Sequence, residues 1–137
     1  MSAEAFLDTN ILLYAIARDD PRAAAAEALL AAGGVISVQV LNEFAAVARR
    51  KLGLSWDEIA EALSAVRALC EPVEPVTVEI HEAALRIADR YGYHIYDASI
   101  VATALRAQCR ILYSEDMQGG QAIEGLTIRN PFGSEMS

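Results

Sequence analysis

The stretch from Ala5 to Tyr14 constrains the fold most, because a short apolar run ends at Asp8 and an apolar helical pattern starts immediately after it. A buried parallel strand is a continuous hydrophobic run, and in open α/β sheets the residues just beyond its carboxyl end lie where ligands bind. Asp8 is therefore predicted to face a site. Asp8, Thr9 and Asn10 could instead cap the helix, since side chains of these types accept hydrogen bonds from free amides at a helix start.

The rest of the chain repeats this alternation of short apolar runs and helical patterns. Further strands are predicted at 35–38, 72–76, 110–113 and 126–128. Helices are predicted at 11–17, 21–32, 38–52, 55–69, 77–90 and 96–107, with Asp20 as N-cap and Pro21 as first residue of the second helix. This order predicts one doubly wound α/β domain over residues 1–132, in which a short parallel sheet of about five strands carries helices on both faces. Residues 133–137 are expected to be a frayed tail.

Composition narrows the classes of function. No apolar run reaches the roughly 18 to 20 residues that a membrane span needs, and the first residues lack the basic segment of a signal peptide, so we expect a cytoplasmic protein. Cys70 and Cys109 are isolated, which fits a reducing compartment and offers no metal-ligand spacing. The net charge of −8 argues against binding nucleic acid by bulk electrostatics, but not against acting on it through cations held by carboxylates.

Four acidic residues occupy comparable places in the predicted fold. Asp8 follows the first strand, Glu43 lies at the edge of a helix stripe, Asp97 lies in the first turn of an apolar helix, and Asp116 follows a late strand. In a doubly wound fold these positions can meet at one crevice. Each has an ordinary alternative: Glu43 as a solvated helix residue, Asp97 as a complement to the helix dipole, and Asp116 as an Asx-turn residue.

Carboxylates this close cannot all stay ionised without a cation, because like charges raise one another's pKa. The implied ion is Mg²⁺ or Mn²⁺, since no cluster of His or Cys offers softer ligands. Glu115 directly precedes Asp116 and leaves the identity of the fourth acid open. His81 and His94 have no partner in the pattern and are interpreted as solvated or structural.

Four segments of the sequence resemble the motifs of a known family. They are residues 6–12 (FLDTNIL), 39–44 (QVLNEF), 96–102 (YDASIVA) and 112–117 (LYSEDM). In this order and at these spacings they resemble the four acidic motifs of the PIN-domain ribonucleases, and most of all those of the VapC toxins of bacterial toxin–antitoxin pairs. The likeness extends over the whole chain, including its length and the Asn-Pro-Phe ending at 130–132.

The resemblance implies a Mg²⁺-dependent endoribonuclease in which the metal, with Mn²⁺ as an alternative, activates a water. It implies that the catalytic and metal-binding acids are Asp8, Glu43, Asp97 and Asp116. It also implies that hydrogen bonds from Thr9, Asn10 and Ser114 support these acids. The expected partners are an RNA substrate, a cognate antitoxin protein and a second copy of the chain, with no membrane.

The sequence gives weaker signals for the residues that contact the substrate. Arg50 lies on the same helix edge as Glu43 and could bind phosphate, although a solvated helix end is the alternative. Tyr14, Tyr93 and Tyr96 could stack on bases, or could be ordinary half-buried tyrosines.

Other functions fit the sequence less well. A phosphoacceptor receiver domain would need a lysine after a late strand, and the only lysine is Lys51. A phosphatase with an aspartyl nucleophile would want a second acid where Asn10 stands. The remaining alternative is a PIN-like module that binds or regulates without catalysis.

Overall fold

The computed structural model describes residues 4–17, 19–117 and 119–133. Within these ranges the strands are β1 (Ala5–Leu7), β2 (Ile36–Ser37), β3 (Val73–Glu74), β4 (Ile111–Tyr113), β5 (Ala122–Ile123) and β6 (Leu126–Arg129). The helices are α1 (Thr9–Ile16), α2 (Ala23–Ala32), α3 (Val38–Arg50), α4 (Trp56–Leu69), α5 (Val78–Tyr91) and α6 (Ile95–Arg106). The predicted order of elements is confirmed apart from β5, with ends that shift by at most two residues.

The strands form a mostly parallel sheet. The main sheet has the order β1-β4-β6-β5, in which only β5 runs antiparallel to its neighbour. Strands β2 and β3 pair in parallel beside it. A parallel bridge between Phe6 and Val35 joins the two sheets, with the Leu7 amide donating to the Val35 carbonyl at 3.0 Å. Five strands thus run the same way in the order β3-β2-β1-β4-β6, which confirms the predicted α/β class.

The chain changes direction at β1. It steps outward from β1 to β2 and β3, and then crosses back to place β4 on the other side of β1. Because parallel crossovers are right-handed, these two directions place the helices on opposite faces of the sheet. Accordingly α1 packs against α2 and α3, whereas α5 packs against α6. The carboxyl ends of β1 and β4 therefore border the topological switch point, where open α/β sheets bind ligands.

Helix α6 fills the centre of one face. All seven residues from Ala98 to Ala104 are buried, as expected for a helix that is apolar on every side. Phe6, Leu112 and Ile128 occupy equivalent buried positions on the three parallel strands beneath. The core is therefore continuous up to the first turn of α6, and no helix of the described residues is long and apolar enough to cross a membrane.

Two predictions need correction. Helix α2 begins at Ala23 rather than at Pro21, and its N-cap is Arg22 rather than Asp20. The Asp20 side chain caps a preceding turn instead, because its Oδ1 accepts from the Arg22 amide and guanidinium, both at 2.8 Å. The sequence also failed to predict β5, a two-residue edge strand with no apolar run of its own. The predicted tail lies outside the described residues from 134 onward.

Candidate active site and metal centre

The register of β1 and β4 determines which side chains meet at the switch point. Leu7 pairs with Tyr113, so Asp8 and Ser114 are the first residues beyond the two neighbouring strands. The Asp8 amide donates to the Tyr113 carbonyl at 3.0 Å, and the Ser114 amide donates to the Arg129 carbonyl at 2.9 Å. These backbone bonds fix the positions from which both side chains extend.

Asp8 is both a helix cap and a buried acid. Its Oδ1 accepts from the Thr9 amide at 2.7 Å as the N-cap of α1, and its Oδ2 accepts from the Ser114 hydroxyl at 2.8 Å. The side chain is almost completely buried, and this burial raises its pKa to about 6 although both hydrogen bonds lower it. The charges of Asp97 and Glu43 raise the pKa further. The predicted cap is therefore confirmed for Asp8, and the same carboxylate is also placed among the charges of Asp97 and Glu43.

Glu43 is held in place from two sides. Its Oε1 accepts from the Thr9 hydroxyl at 2.7 Å, and its Oε2 accepts from the Gln39 amide at 3.3 Å. The same Gln39 amide donates to the backbone carbonyl of Tyr96 at 3.0 Å, which connects α3 to the start of α6. Glu43 is thus half-buried and bonded, rather than the freely solvated helix residue that the sequence left open.

Asp97 lies in the first turn of α6, half-buried among like charges. Burial raises the pKa of Asp97 most, and the charges of Asp116 and Glu43 raise it as well, against the opposing effect of His94. His94 is the N-cap of α6, and its ring nitrogen accepts from the Tyr96 amide at 3.4 Å. The first turn of α6 therefore delivers one carboxylate to the other acids.

Glu115 and Asp116 are adjacent in sequence but have different surroundings. Asp116 is exposed, and its charge acts on Asp97. Glu115 is half-buried and accepts hydrogen bonds from the Tyr14 hydroxyl and from the Arg22 guanidinium, the latter at 3.0 Å. The charge of Asp116 therefore acts on Asp97, whereas Glu115 is bonded to Tyr14 and Arg22.

An open groove of about 390 Å³ borders Glu43. Exposed Val38, Val76 and Tyr96 form much of its wall, together with the Asn42 side chain. The Tyr96 ring is 60% exposed and stacks on His94 at 5.5 Å between centroids with an interplanar angle of 25°. An aromatic face and an amide side chain thus lie next to Glu43.

A wider groove lies away from these acids, between α5 and α6. Its volume is about 550 Å³, and its lining includes Arg86, Arg90 and Arg106 but none of the four acids. This groove has a greater volume than the one beside Glu43 but contains none of the four acids, so chemistry rather than size identifies the candidate site.

The four acids fit a hard divalent cation by type. Carboxylate oxygens are the ligands that Mg²⁺ and Mn²⁺ prefer. Burial most of all, and mutual repulsion in addition, raise the pKa values of Asp8 and Asp97, and a bound cation would relieve that repulsion. In the present arrangement, no three acidic, histidine or cysteine side chains within the described ranges come close enough to coordinate one ion. The donors are thus within electrostatic range of one another, but not yet at coordination distance.

Comparison with known proteins identifies the family. Residues 5–118 match the PIN domain. The chain belongs to the PIN-domain family. Comparison with curated proteins finds no match.

Solved structures of PIN-domain toxins share the fold. VapC20 of Mycobacterium tuberculosis, described as a sarcin–ricin loop cleaving toxin, is 26% identical with a TM-score of 0.68, over 82% of this chain and 89% of that one. A toxin–antitoxin complex from Klebsiella pneumoniae is 20% identical with a TM-score of 0.70, over 93% of this chain and 98% of that one. VapBC2 of Rickettsia felis, bound to a DNA fragment from its promoter, is 20% identical with a TM-score of 0.66, over 92% and 97%.

The residues expected to support the acids of this PIN domain behave differently from one another. Thr9 and Ser114 donate to Glu43 and Asp8 as described above. Asn10 is buried, but its side-chain amide has no hydrogen-bond partner among the described residues. The hydrogen-bonding role expected for Asn10 is therefore not seen in this arrangement.

The contacts of Gln39, Tyr14 and Arg22 with acidic residues were not predicted from the sequence. Gln39 could have been found, because it lies four residues before Glu43 and hence on the same helix surface. Tyr14 and Arg22 reach Glu115 across 101 and 93 residues, and no local pattern signals such a contact. Arg50, the predicted phosphate contact, is exposed in the last turn of α3. It lies about 10 Å from Glu43 along the helix axis.

Proposed function

We propose that this PIN domain is a divalent-metal-dependent endoribonuclease, and that it acts as the toxin of a VapBC-type toxin–antitoxin pair on cytoplasmic RNA. The observation that carries the proposal is the collection of like charges at the switch point, where Asp8 and Asp97 are buried or half-buried with raised pKa values and Glu43 and Asp116 act on them. Family membership makes nuclease chemistry the natural use of such a cluster.

The four acids would hold Mg²⁺ or Mn²⁺. When bound, the cation supplies charge that neutralises the scissile phosphate and lowers the pKa of water, so that no protein nucleophile is needed. Ser114 and Thr9 fix the carboxylates of Asp8 and Glu43 by hydrogen bonds, which orients them as ligands. Gln39 adds a second restraint on Glu43 from the same helix.

Single-stranded RNA is the proposed substrate. Unpaired bases are recognised by stacking on aromatic side chains and by hydrogen bonds to their edges. The exposed Tyr96 ring and the Asn42 amide offer both kinds of contact in the groove beside Glu43. The description of VapC20 as a toxin that cleaves an RNA loop supports the same class of substrate.

An antitoxin is the proposed protein partner. Two structural neighbours are toxin–antitoxin complexes. A C-terminal segment of such a partner would cover the acidic crevice, and an arginine there would neutralise the carboxylates in place of a cation. We include a homodimer in the proposal, which sedimentation analysis of the purified chain tests directly.

The decisive experiment is cleavage of total RNA by the purified chain, read by sequencing new 5′ ends with Mg²⁺ and with EDTA. The proposal predicts cuts at defined sites that require the metal and disappear in Asp97→Asn. Asp89→Asn is the matched control, because Asp89 is exposed on α5 and belongs to no site described above. Metal-independent cleavage, or equal cleavage by Asp97→Asn, would contradict the proposal.

A non-catalytic PIN-like binding module is the second candidate. It is favoured by the absence, in the described part of the chain, of three acidic side chains at mutual coordination distance. Co-expression with the protein encoded beside this gene separates the two candidates. A toxin predicts that growth is arrested by the chain alone and restored by the neighbour, whereas a binding module predicts a complex without growth arrest.

A further inference from the structure

Next to the four acids, a network of polar side chains surrounds Glu115. The Tyr14 hydroxyl donates to Glu115 Oε1, and Arg22 Nη1 donates to Glu115 Oε2 at 3.0 Å and to the Tyr14 hydroxyl at 2.8 Å. Arg22 also forms two bonds of 2.8 Å with Asp20, through Nε to Oδ1 and Nη2 to Oδ2. We call Tyr14, Asp20, Arg22 and Glu115 the Glu115 clamp.

The Glu115 clamp joins segments that are distant in sequence. Tyr14 lies on α1, Arg22 precedes α2, and Glu115 follows β4. The Arg22 guanidinium lies 3.9 Å above the centre of the Tyr14 ring, and Phe132 packs edge-on against that ring at 5.1 Å. The tyrosine is thus fixed by a cation, by an aromatic contact and by its hydrogen bonds, so its hydroxyl is a rigid anchor point for Glu115.

The turn that carries both acids is fixed at its two ends. Ser114 is completely buried and donates to Asp8, and Met117 is buried with its amide donating to the Ser114 hydroxyl at 3.3 Å. Between these ends, Glu115 is directed to α1 by the Glu115 clamp. Asp116 is the one acid of the turn that remains exposed.

The charge of Asp116 acts on both Asp97 and Tyr14, whereas that of Glu115 acts on Tyr14. Burial raises the pKa of Asp97 most, and the charge of Asp116 raises it further. Burial first, and then the hydrogen bond and charge of Glu115, raise the pKa of Tyr14 to about 12. The charge of Glu115 is thus engaged by Tyr14 and Arg22 on the side of α1.

We propose that Tyr14 and Arg22 are positioning residues that hold Glu115 against α1, and thereby fix the turn that presents Asp116 as the fourth acid of the metal site. This inference rests on the proposed function, because it assigns a role in metal binding to Asp116. It adds that Glu115 is the anchor of the turn and is not a ligand, an alternative that the sequence left open.

The test measures Mn²⁺ affinity by calorimetry, and RNA cleavage as a second readout, in the full chain. Asp116→Asn should weaken Mn²⁺ binding more than Glu115→Gln does, because the Gln side chain still offers an oxygen to Tyr14. Tyr14→Phe keeps the ring and its contacts but removes the anchor, so Mn²⁺ binding should weaken roughly tenfold, as is typical when a group that orients a metal ligand is lost. Tyr91→Phe is the matched control, because Tyr91 is the last residue of α5 and is not part of the Glu115 clamp, so the affinity should be unchanged.

A double-mutant cycle separates positioning from a purely structural role. If Tyr14 acts through Asp116, Tyr14→Phe should have no further effect on Mn²⁺ affinity once Asp116 is Asn, whereas it should add its full effect to Glu43→Gln. A structural role alone would lower the free energy of unfolding and leave Mn²⁺ affinity unchanged in Tyr14→Phe.

Unchanged Mn²⁺ affinity in Tyr14→Phe, or a loss in Glu115→Gln that exceeds the loss in Asp116→Asn, would overturn the positioning role while the parent still binds metal and cleaves RNA. Failure of the parent protein itself to bind Mn²⁺ would overturn the proposed function, and this inference with it.

Discussion

The two ends of the same pair of strands, β1 and β4, are treated very differently by this chain. At their amino ends, Glu4 and Arg110 form an ion pair of 3.8 Å whose side chains are 69% and 77% exposed. At their carboxyl ends, Asp8 is buried against Ser114, and the charges of Asp97 and Glu43 act on it, while no basic side chain of the described residues is bonded to it. At the amino ends, opposite charges pair in solvent. At the carboxyl ends, like charges lie around a buried carboxylate.

This difference separates what the fold needs from what the function needs. The backbone bonds that hold β1 to β4 continue at both ends, so strand pairing does not require a buried acid. Burying a carboxylate among like charges costs stability, and such cost is typical of functional sites. The comparison therefore predicts that substitutions at the carboxyl ends change activity and pH dependence, while substitutions at the amino ends change neither.

The largest expected effect is the loss of RNA cleavage in Asp8→Asn. Removing a carboxylate that holds a catalytic cation forfeits several kcal/mol of transition-state stabilisation, so kcat/KM should fall by roughly 10³-fold. Glu4→Gln is the control at the other end of β1 and should cleave like the parent. If both variants lose activity in the same cleavage assay, or if neither does, the proposed difference between the two ends of β1 is wrong.

The next effect is on the stability of the metal-free protein. The pKa of Asp8 is raised from 3.8 to about 6, so between these values the folded state binds more protons than the unfolded state. The free energy of unfolding should therefore fall as pH rises from about 4 to about 6, by at most about 3 kcal/mol. The raised pKa of Asp97 acts in the same direction.

Urea unfolding in EDTA across this range of pH measures the effect. Asp8→Asn should flatten the profile and be the more stable protein at neutral pH, since it removes a buried charge and also relieves repulsion from Asp97 and Glu43. The pKa of Asp20 is lowered to about 2, chiefly by its hydrogen bonds to Arg22. Asp20 therefore changes the free energy of unfolding only below about pH 4, outside this range. A free energy of unfolding that rises between pH 4 and 6 would show that the Asp8 carboxylate stabilises the fold.

These predictions rest on features that the sequence revealed to different degrees. Asp8 could be predicted because an apolar run ends at it and a helix begins after it, and Asp97 because a charge interrupts an apolar helix. The parallel sheet followed from the same alternation. Glu115 could not be separated from Asp116, because the difference depends on Tyr14 and Arg22, which reach it only through tertiary packing.

A smaller effect is expected from Tyr96→Ala, which removes the exposed ring beside the acids. Stacking of one base is worth roughly 1–3 kcal/mol, so the KM for single-stranded RNA should rise about tenfold with Mn²⁺ affinity unchanged. Trp56→Ala is a matched control, because Trp56 is 61% exposed against 60% for Tyr96 but lies at the start of α4, beyond the far end of α3. Equal KM values for the two variants would remove the groove from the proposed RNA path.

The smallest effect is expected from Arg50→Ala. Arg50 is exposed at the end of α3, which leads away from Glu43, so its contact with phosphate would be peripheral. The KM should rise a few-fold. The slope of log KM against log salt concentration should change by about one, as expected for the loss of one phosphate contact. Identical salt titrations for parent and variant would favour the solvated helix end over a phosphate contact.

The central claim is that the acids at the carboxyl ends of the strands are held together for a divalent cation. Unfolding of the parent and of Asp8→Asn at neutral pH, each with Mg²⁺ and with EDTA, tests this most directly. We predict that Asp8→Asn is the more stable protein in EDTA, and that Mg²⁺ stabilises the parent more than the variant. A parent that is unaffected by Mg²⁺, together with a variant that is less stable in EDTA, would contradict it.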